Sequence, residues 1–135
     1  MNLLLDTHIL IWALLQTDRL SQEVRAYLEN PENRIFYSVL SVWEVAIKCK
    51  TRKTPMAFSE EDILKICKEA GYTELPLNDD HIRYLRNLQR KEGTQPHKDP
   101  FDMMLICQAA VTEDMSLLTH DHLLEGYQDV PVISV

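Results

Sequence analysis

The chain has 135 residues, of which 45% are hydrophobic and 26% charged, the size and balance of one soluble globular domain with a core of its own. Its net charge of −7 argues against a protein that coats nucleic acid through a general basic surface. No apolar run approaches the ~20 residues that span a bilayer, and Asp6 and His8 interrupt the first apolar run with no basic segment before it, unlike a signal peptide.

In chain order, Leu3 to Leu5 reads as a short buried strand and His8 to Leu15 as helix or turn. Ser21 caps a helix through about Leu28, with Val24 and Leu28 on one face, and Asn30-Pro31-Glu32-Asn33 is a turn. Ile35 to Tyr37 is a second strand, Val39 to about Lys50 a helix, and Thr51 to Phe58 a polar loop. Ser59 to Asp62 starts a helix that ends at Gly71. Thr73 to Leu77 reads as a strand. Asn78 caps a helix ending near Gly93, whose Ile82, Leu85 and Leu88 are expected to pack on the sheet. After a loop from Thr94 to Lys98, Asp99-Pro100 opens a helix through about Val111, with Pro at its tolerated first position. Ser116 to Thr119 is a strand, His122 to Tyr127 a short helix or turn, and Val132 to Ser134 a final strand. Strands alternating with helices predict an α/β fold, a central parallel sheet flanked by helices on both faces, as a single domain over 1–135. Cys49, Cys67 and Cys107 form no Cys-x-x-Cys pair, which suits buried thiols and a cytoplasmic location.

Carboxylates recur at the ends of these strands. Asp6 follows Leu3 to Leu5, Glu44 lies just past Ile35 to Tyr37, Asp99 and Asp102 open an apolar helix, and Asp121 follows Leu117-Leu118-Thr119. Each has a structural reading. Asp6 can begin a turn, Asp99 can cap the helix that starts at Pro100, Asp102 is a first-turn acid, and Asp121 can cap the next turn. Glu44 either closes a capping box with Ser41 or, if the helix starts at Ser38, lies free in its second turn. In an open parallel sheet, however, functional groups gather beyond the carboxyl ends of the strands. At ~5 Å and an effective dielectric of ~20, each pair of converging carboxylates repels by about 3 kcal/mol. A divalent cation offsets that repulsion, polarises phosphate oxygens and generates a nucleophile from water. An all-oxygen set suits Mg²⁺.

Other residues carry weaker signals. Lys48, Lys50, Arg52 and Lys53 form a basic cluster, either a phosphate-binding patch or a solvated helix end. His120-x-His122 with His8 suggests zinc, but without a third ligand at a recognisable spacing. Trp12 and Trp43 read as core or dimer-interface aromatics ahead of base-stacking platforms. The three glycines provide no phosphate loop.

Four segments together carry a resemblance: Leu3 to Trp12 with Asp6, Ser41 to Lys48 with Glu44, His97 to Ala109 with Asp99 and Asp102, and Leu117 to Asp121. In order and spacing they resemble the successive signatures of PIN-domain proteins, and among them the VapC-like toxin ribonucleases of toxin–antitoxin pairs. The resemblance implies a Rossmann-like three-layer fold and a Mg²⁺- or Mn²⁺-dependent ribonuclease acting on RNA. It also implies a homodimer and inhibition by a small antitoxin protein. By position, Asp6, Glu44, Asp102 and Asp121 match the acidic site, with Asp99 a metal or water-positioning companion or only a cap. Thr119 occupies the hydroxyl position beside that site, and Lys48, Lys50 and Arg52 are candidate substrate contacts. His120 departs from the pattern, standing where relatives carry Arg, so its charge depends on pH. The competing readings are a metal-dependent phosphomonoesterase and a non-catalytic binding module. Asp6-Thr7-His8 lacks the second aspartate that the phosphatase motif requires.

Overall fold

The computed structural model describes residues 1–53 and 55–135. Five parallel strands, β1 (Asn2–Leu5), β2 (Arg34–Ser38), β3 (Thr73–Leu75), β4 (Met115–Thr119) and β5 (Val132–Ser134), lie in the order β3-β2-β1-β4-β5. Six α-helices cover the two faces: α1 (Thr7–Leu15), α2 (Gln22–Glu29), α3 (Val39–Thr51), α4 (Glu60–Ala70), α5 (Asp79–Tyr84) and α6 (Pro100–Val111). This is the three-layer α/β arrangement expected from the alternation of elements.

Leu3, Leu4 and Leu5 are all fully buried. A central parallel strand sandwiched by helices presents apolar side chains to both sides, hence the unbroken run. Leu3 and Leu5 pack with Ile9, Leu10, Val45 and Ile63 on one face. Leu4 points the other way, into a second cluster with Leu105, Ile106 and Leu117. Strand order builds outward from β1 through β2 to β3, then returns to β4 on the other flank of β1. The switch point therefore lies between β1 and β4, where a crevice opens at the carboxyl edge.

Local chemistry sets the helix ends. Ser59 and Asp62 form a reciprocal capping box on α4, which stops at Gly71 in the left-handed conformation with φ of 77°. Fully buried Ser38 caps α3 by accepting from the Leu40 amide at 3.0 Å, and its hydroxyl donates to Gln108 Oε1 at 2.7 Å. Ser38→Ala removes the cap and strands that acceptor, so a loss of about 1–3 kcal/mol is expected in urea unfolding. An unchanged midpoint would show the link from α3 to α6 to be incidental.

Three expectations need correction. β3 ends at Leu75, not Leu77, because Pro76 has no N–H to continue pairing. The helix expected from Asn78 to near Gly93 is α5, which ends at Tyr84 in a 3₁₀ turn, Leu85–Asn87. Beyond it, Lys91 N donates to Gly126 O at 2.7 Å and Gln128 N to Gln89 O at 2.8 Å, so pairing with a segment distant in sequence overrides the helical periodicity. Ile82 and Leu85 are consequently 50% and 39% exposed; only Leu88 joins the core, and α5 packs on α6, not on the sheet. Thr51, expected in the following loop, is the last residue of α3, and Thr54 of that expected loop lies outside the described residues.

The cysteines are free; Cys67 and Cys107 are buried, and burial pushes their thiols up to about 12 and about 11, respectively. Among the described residues no helix is long and apolar enough to cross a membrane.

Candidate metal centre

Asp6 is the residue after β1 and the N-cap of α1; its Oδ1 accepts from the Ile9 amide at 2.8 Å. Its Oδ2 accepts from the Thr119 hydroxyl at the end of β4. The same hydroxyl oxygen accepts from the Asp121 amide at 3.0 Å, so Thr119 ties Asp6 to Asp121 across the switch point. Asp121 in turn caps the 3₁₀ turn His122–Gly126 through the Leu123 amide, 3.0 Å away.

Glu44 takes the second of its two readings. With Ser38 as cap, Glu44 falls in the second turn of α3, while Ser41 is buried and shares a 2.9 Å hydrogen bond with Thr7. No capping box with Ser41 forms; Glu44 instead pairs with Lys48 at 3.1 Å. Asp99 is the N-cap of α6, its Oδ1 accepting from the amides of Phe101 and Asp102 at 2.9 and 3.1 Å. Asp102 follows in the first turn.

Asp6, Asp102 and Asp121 line a cleft of about 610 Å³, with His8, Gln95 and His120 on its walls. Burial pushes the Asp102 carboxyl up to about 7, reinforced by the negative charges of Asp99, Asp6, Glu44 and Asp121. All the acids singled out in the sequence thus act on Asp102. A larger hollow, about 800 Å³, opens at the opposite, amino edge beside Asn2 and Met115. Its acids Glu113, Asp114 and Asp129 are exposed, and it lies away from this convergence.

One group was missed in the sequence. His97, read as part of a loop, has a side chain only 4% exposed, with Nε2 3.6 Å from Asp102 Oδ2. Nε2 has no hydrogen-bond partner, while Nδ1 bonds the Tyr127 hydroxyl at 2.6 Å. Among the described residues, His97, Asp102 and Asp121 form the group that can hold a metal, their donor atoms all within 4.8 Å of one another. Burial holds the His97 imidazole below its ordinary range, against the pull of Asp121 and Asp99. The available signal was a ligand-type side chain five residues before Asp102; what buries it comes from distant residues.

His120 behaves differently. Its Nδ1 stands 3.9 Å from Asp6 Oδ2, and its ring lies 4.6 Å from that of Trp12 and 5.4 Å from that of His8. Polar contact with Asp6 raises the imidazole above its usual range against burial, with help from the charges of Asp6, Asp121 and Asp102. His122 also lines the cleft but bonds Ser134 through Nδ1 at 2.7 Å, and among the described residues His120 and His122 belong to no metal-holding group, against the suggested zinc pair. Trp12 packs against the first core cluster, but Trp43 is 58% exposed beside Phe101, so a core role fails for it. Lys50 and Arg52 are exposed at the far end of α3. At ~1.5 Å per residue, Arg52 lies roughly 12 Å along the axis from Glu44.

The PIN domain family model matches residues 3–128. The fold is similar to that of a chain in the crystal structure of VapBC2 from Rickettsia felis bound to a DNA fragment from their promoter. The identity is 13% and the TM-score 0.67, over 99% of this chain and 98% of the other. It is also similar to a chain of DNA-bound VapBC from Salmonella typhimurium, at 13% identity and a TM-score of 0.65, with the same coverage. No curated protein matches the chain in sequence.

Proposed function

The chain belongs to the PIN domain family, and on that premise we propose that it is a metal-dependent endoribonuclease, the toxin of a toxin–antitoxin pair. The observation that carries this reading is the crowding of acids around Asp102, which leaves its carboxyl at about 7. A site that disfavours its own charge fits a cation better than it fits a packed core.

Asp102 and Asp121 are the residues that would hold Mg²⁺ or Mn²⁺, with Asp6, Glu44 and Asp99 adding negative charge around them. A divalent ion bound there would supply Lewis-acid chemistry toward a phosphate oxygen and would make a nucleophile of water available at neutral pH. Asp6 is fixed at two points, by the Ile9 amide and the Thr119 hydroxyl, so its carboxylate is oriented in advance. Thr119 keeps Asp121 in register with it. Lys48 pairs with Glu44 one turn along the helix, and Lys50 and Arg52 provide phosphate contacts toward the end of α3 for a longer RNA. His120, where relatives carry Arg, contributes cationic charge at the cleft wall when protonated.

An acidic cleft on a chain of net charge −7 calls for an inhibitor that brings Arg or Lys to the carboxylates. A small antitoxin of that kind fits the similarity to chains of VapBC complexes. Assembly as a homodimer and a cytoplasmic location belong to the same reading. The test is cleavage of single-stranded RNA by the purified chain. Activity is expected to vanish in a chelator and to return with Mg²⁺ or Mn²⁺. Cleavage undiminished by the chelator would rule out a metal-dependent mechanism.

A further inference from the structure

We propose that His97 is itself a ligand of this centre, completing through Nε2 a mixed imidazole and carboxylate set with Asp102 and Asp121 that selects Mn²⁺ over Mg²⁺. The inference rests on the metal reading above and goes beyond it in naming a nitrogen donor and the ion it selects.

The geometry supports a ligand role over a structural one. A separation of 3.6 Å between Nε2 and Asp102 Oδ2 is too long for a hydrogen bond. It suits two donors on one ion, since ligands about 2.1 Å from a metal stand roughly 3 to 3.5 Å apart. A buried nitrogen with no partner is costly. Here it lies beside two carboxylates, with donor atoms of all three residues within 4.8 Å of one another.

The opposite side of the ring is built for that orientation. His97 Nδ1 and the Tyr127 oxygen share a 2.6 Å hydrogen bond in which either can donate; in the tautomer whose Nδ1–H donates, which a bound metal requires, the lone pair is on Nε2, on the side of the acids. Metal-bound histidines commonly donate their second nitrogen to such a partner, which fixes tautomer and ring plane. Tyr127 is 4% exposed and crosses His97 edge to face, with ring centroids 5.5 Å apart. The Arg90 guanidinium lies 4.6 Å from the centre of the Tyr127 ring. Arg90 is anchored in turn by donating to Leu123 O at 2.8 Å and to Gln95 O at 2.7 and 3.1 Å. Arg90 and Tyr127 therefore position His97, and of these three only His97 meets the ion. Mg²⁺ prefers oxygen ligands and keeps its waters, whereas an imidazole favours first-row transition ions.

The test uses the full chain and measures Mn²⁺ and Mg²⁺ binding by calorimetry, with pulsed electron paramagnetic resonance on the Mn²⁺ form. The wild type is expected to bind Mn²⁺ more tightly than Mg²⁺ and to show ¹⁴N coupling from an imidazole. His97→Gln should lose that coupling and ~10–100-fold in Mn²⁺ affinity, with Mg²⁺ affinity nearly unchanged. Tyr127→Phe, which keeps the ring in place, should retain the coupling and lose ~10-fold in Mn²⁺ affinity. Circular dichroism establishes that both variants are folded. Mn²⁺ binding without ¹⁴N coupling, or coupling that survives His97→Gln, overturns the inference and leaves the nuclease reading intact. A wild type that binds neither ion overturns both.

Discussion

Asp102→Asn is expected to stabilise the metal-free protein while removing the proposed ribonuclease activity. Burial and neighbouring acids raise the Asp102 carboxyl from 3.8 to about 7, so the folded state binds this proton more tightly than the unfolded chain does. Its contribution to stability is complete below about pH 4 and is lost as pH rises through 7. His120, raised, adds a loss of the same sign across neutral pH, while His97, lowered, opposes it. Comparison with Asp102→Asn isolates the carboxyl, because asparagine keeps the shape and stays neutral. In a chelator the variant should melt above the wild type at pH 8, and the gap should close toward pH 4. RNA cleavage with saturating metal should fall by at least ~10²–10³-fold, the scale for loss of one strong transition-state interaction. A lower melting temperature at pH 8 would mean that Asp102 is a structural acid.

Expression of the chain without its neighbouring gene product is expected to arrest growth, and co-expression of that product to relieve the arrest. The Asp6→Asn protein should be harmless at equal abundance, since it keeps the volume and the fold but loses a charge at the cleft. Asp6 is 3% exposed and caps α1, yet asparagine is an equally good N-cap, so the helix start survives. Arrest that persists with soluble Asp6→Asn would trace toxicity to something other than RNA cleavage at this cleft.

Much of the fold was legible because local and long-range signals agree in it. Leu3-Leu4-Leu5 is apolar without alternation, and it proves to be the central strand. Asp99-Pro100 reads as a helix start and is one. Agreement failed where distant segments decide the conformation. The periodicity of Ile82, Leu85 and Leu88 is helical, but pairing of residues 89–91 with 126–128 ends the helix early. Pro76, with no N–H to donate, is the local stop signal for β3. In the candidate site, the gathering of Asp6, Asp102 and Asp121 in one cleft follows from strand ends sharing one edge of a parallel sheet, whereas Glu44 and Asp99 are not among the residues lining it. The choice between Ser38 and Ser41 as cap for α3 turned on Gln108, far along the chain, which holds the Ser38 hydroxyl. His97 was not legible because its role depends on Tyr127 and Arg90, each brought in by tertiary structure. Of the core and dimer-interface readings of Trp43, its exposure excludes the core, because an apolar side chain on a helix says nothing of which face that helix turns outward.

A divalent ion is expected to sit among the carboxylates of the cleft. Crystals grown with saturating Mn²⁺ test it through the anomalous signal of the metal. The expected map has a peak between the carboxylates of Asp102 and Asp121, within ligand distance of both. A peak elsewhere with none in this cleft, or no peak at saturating Mn²⁺, would contradict the assignment of a metal centre to these residues.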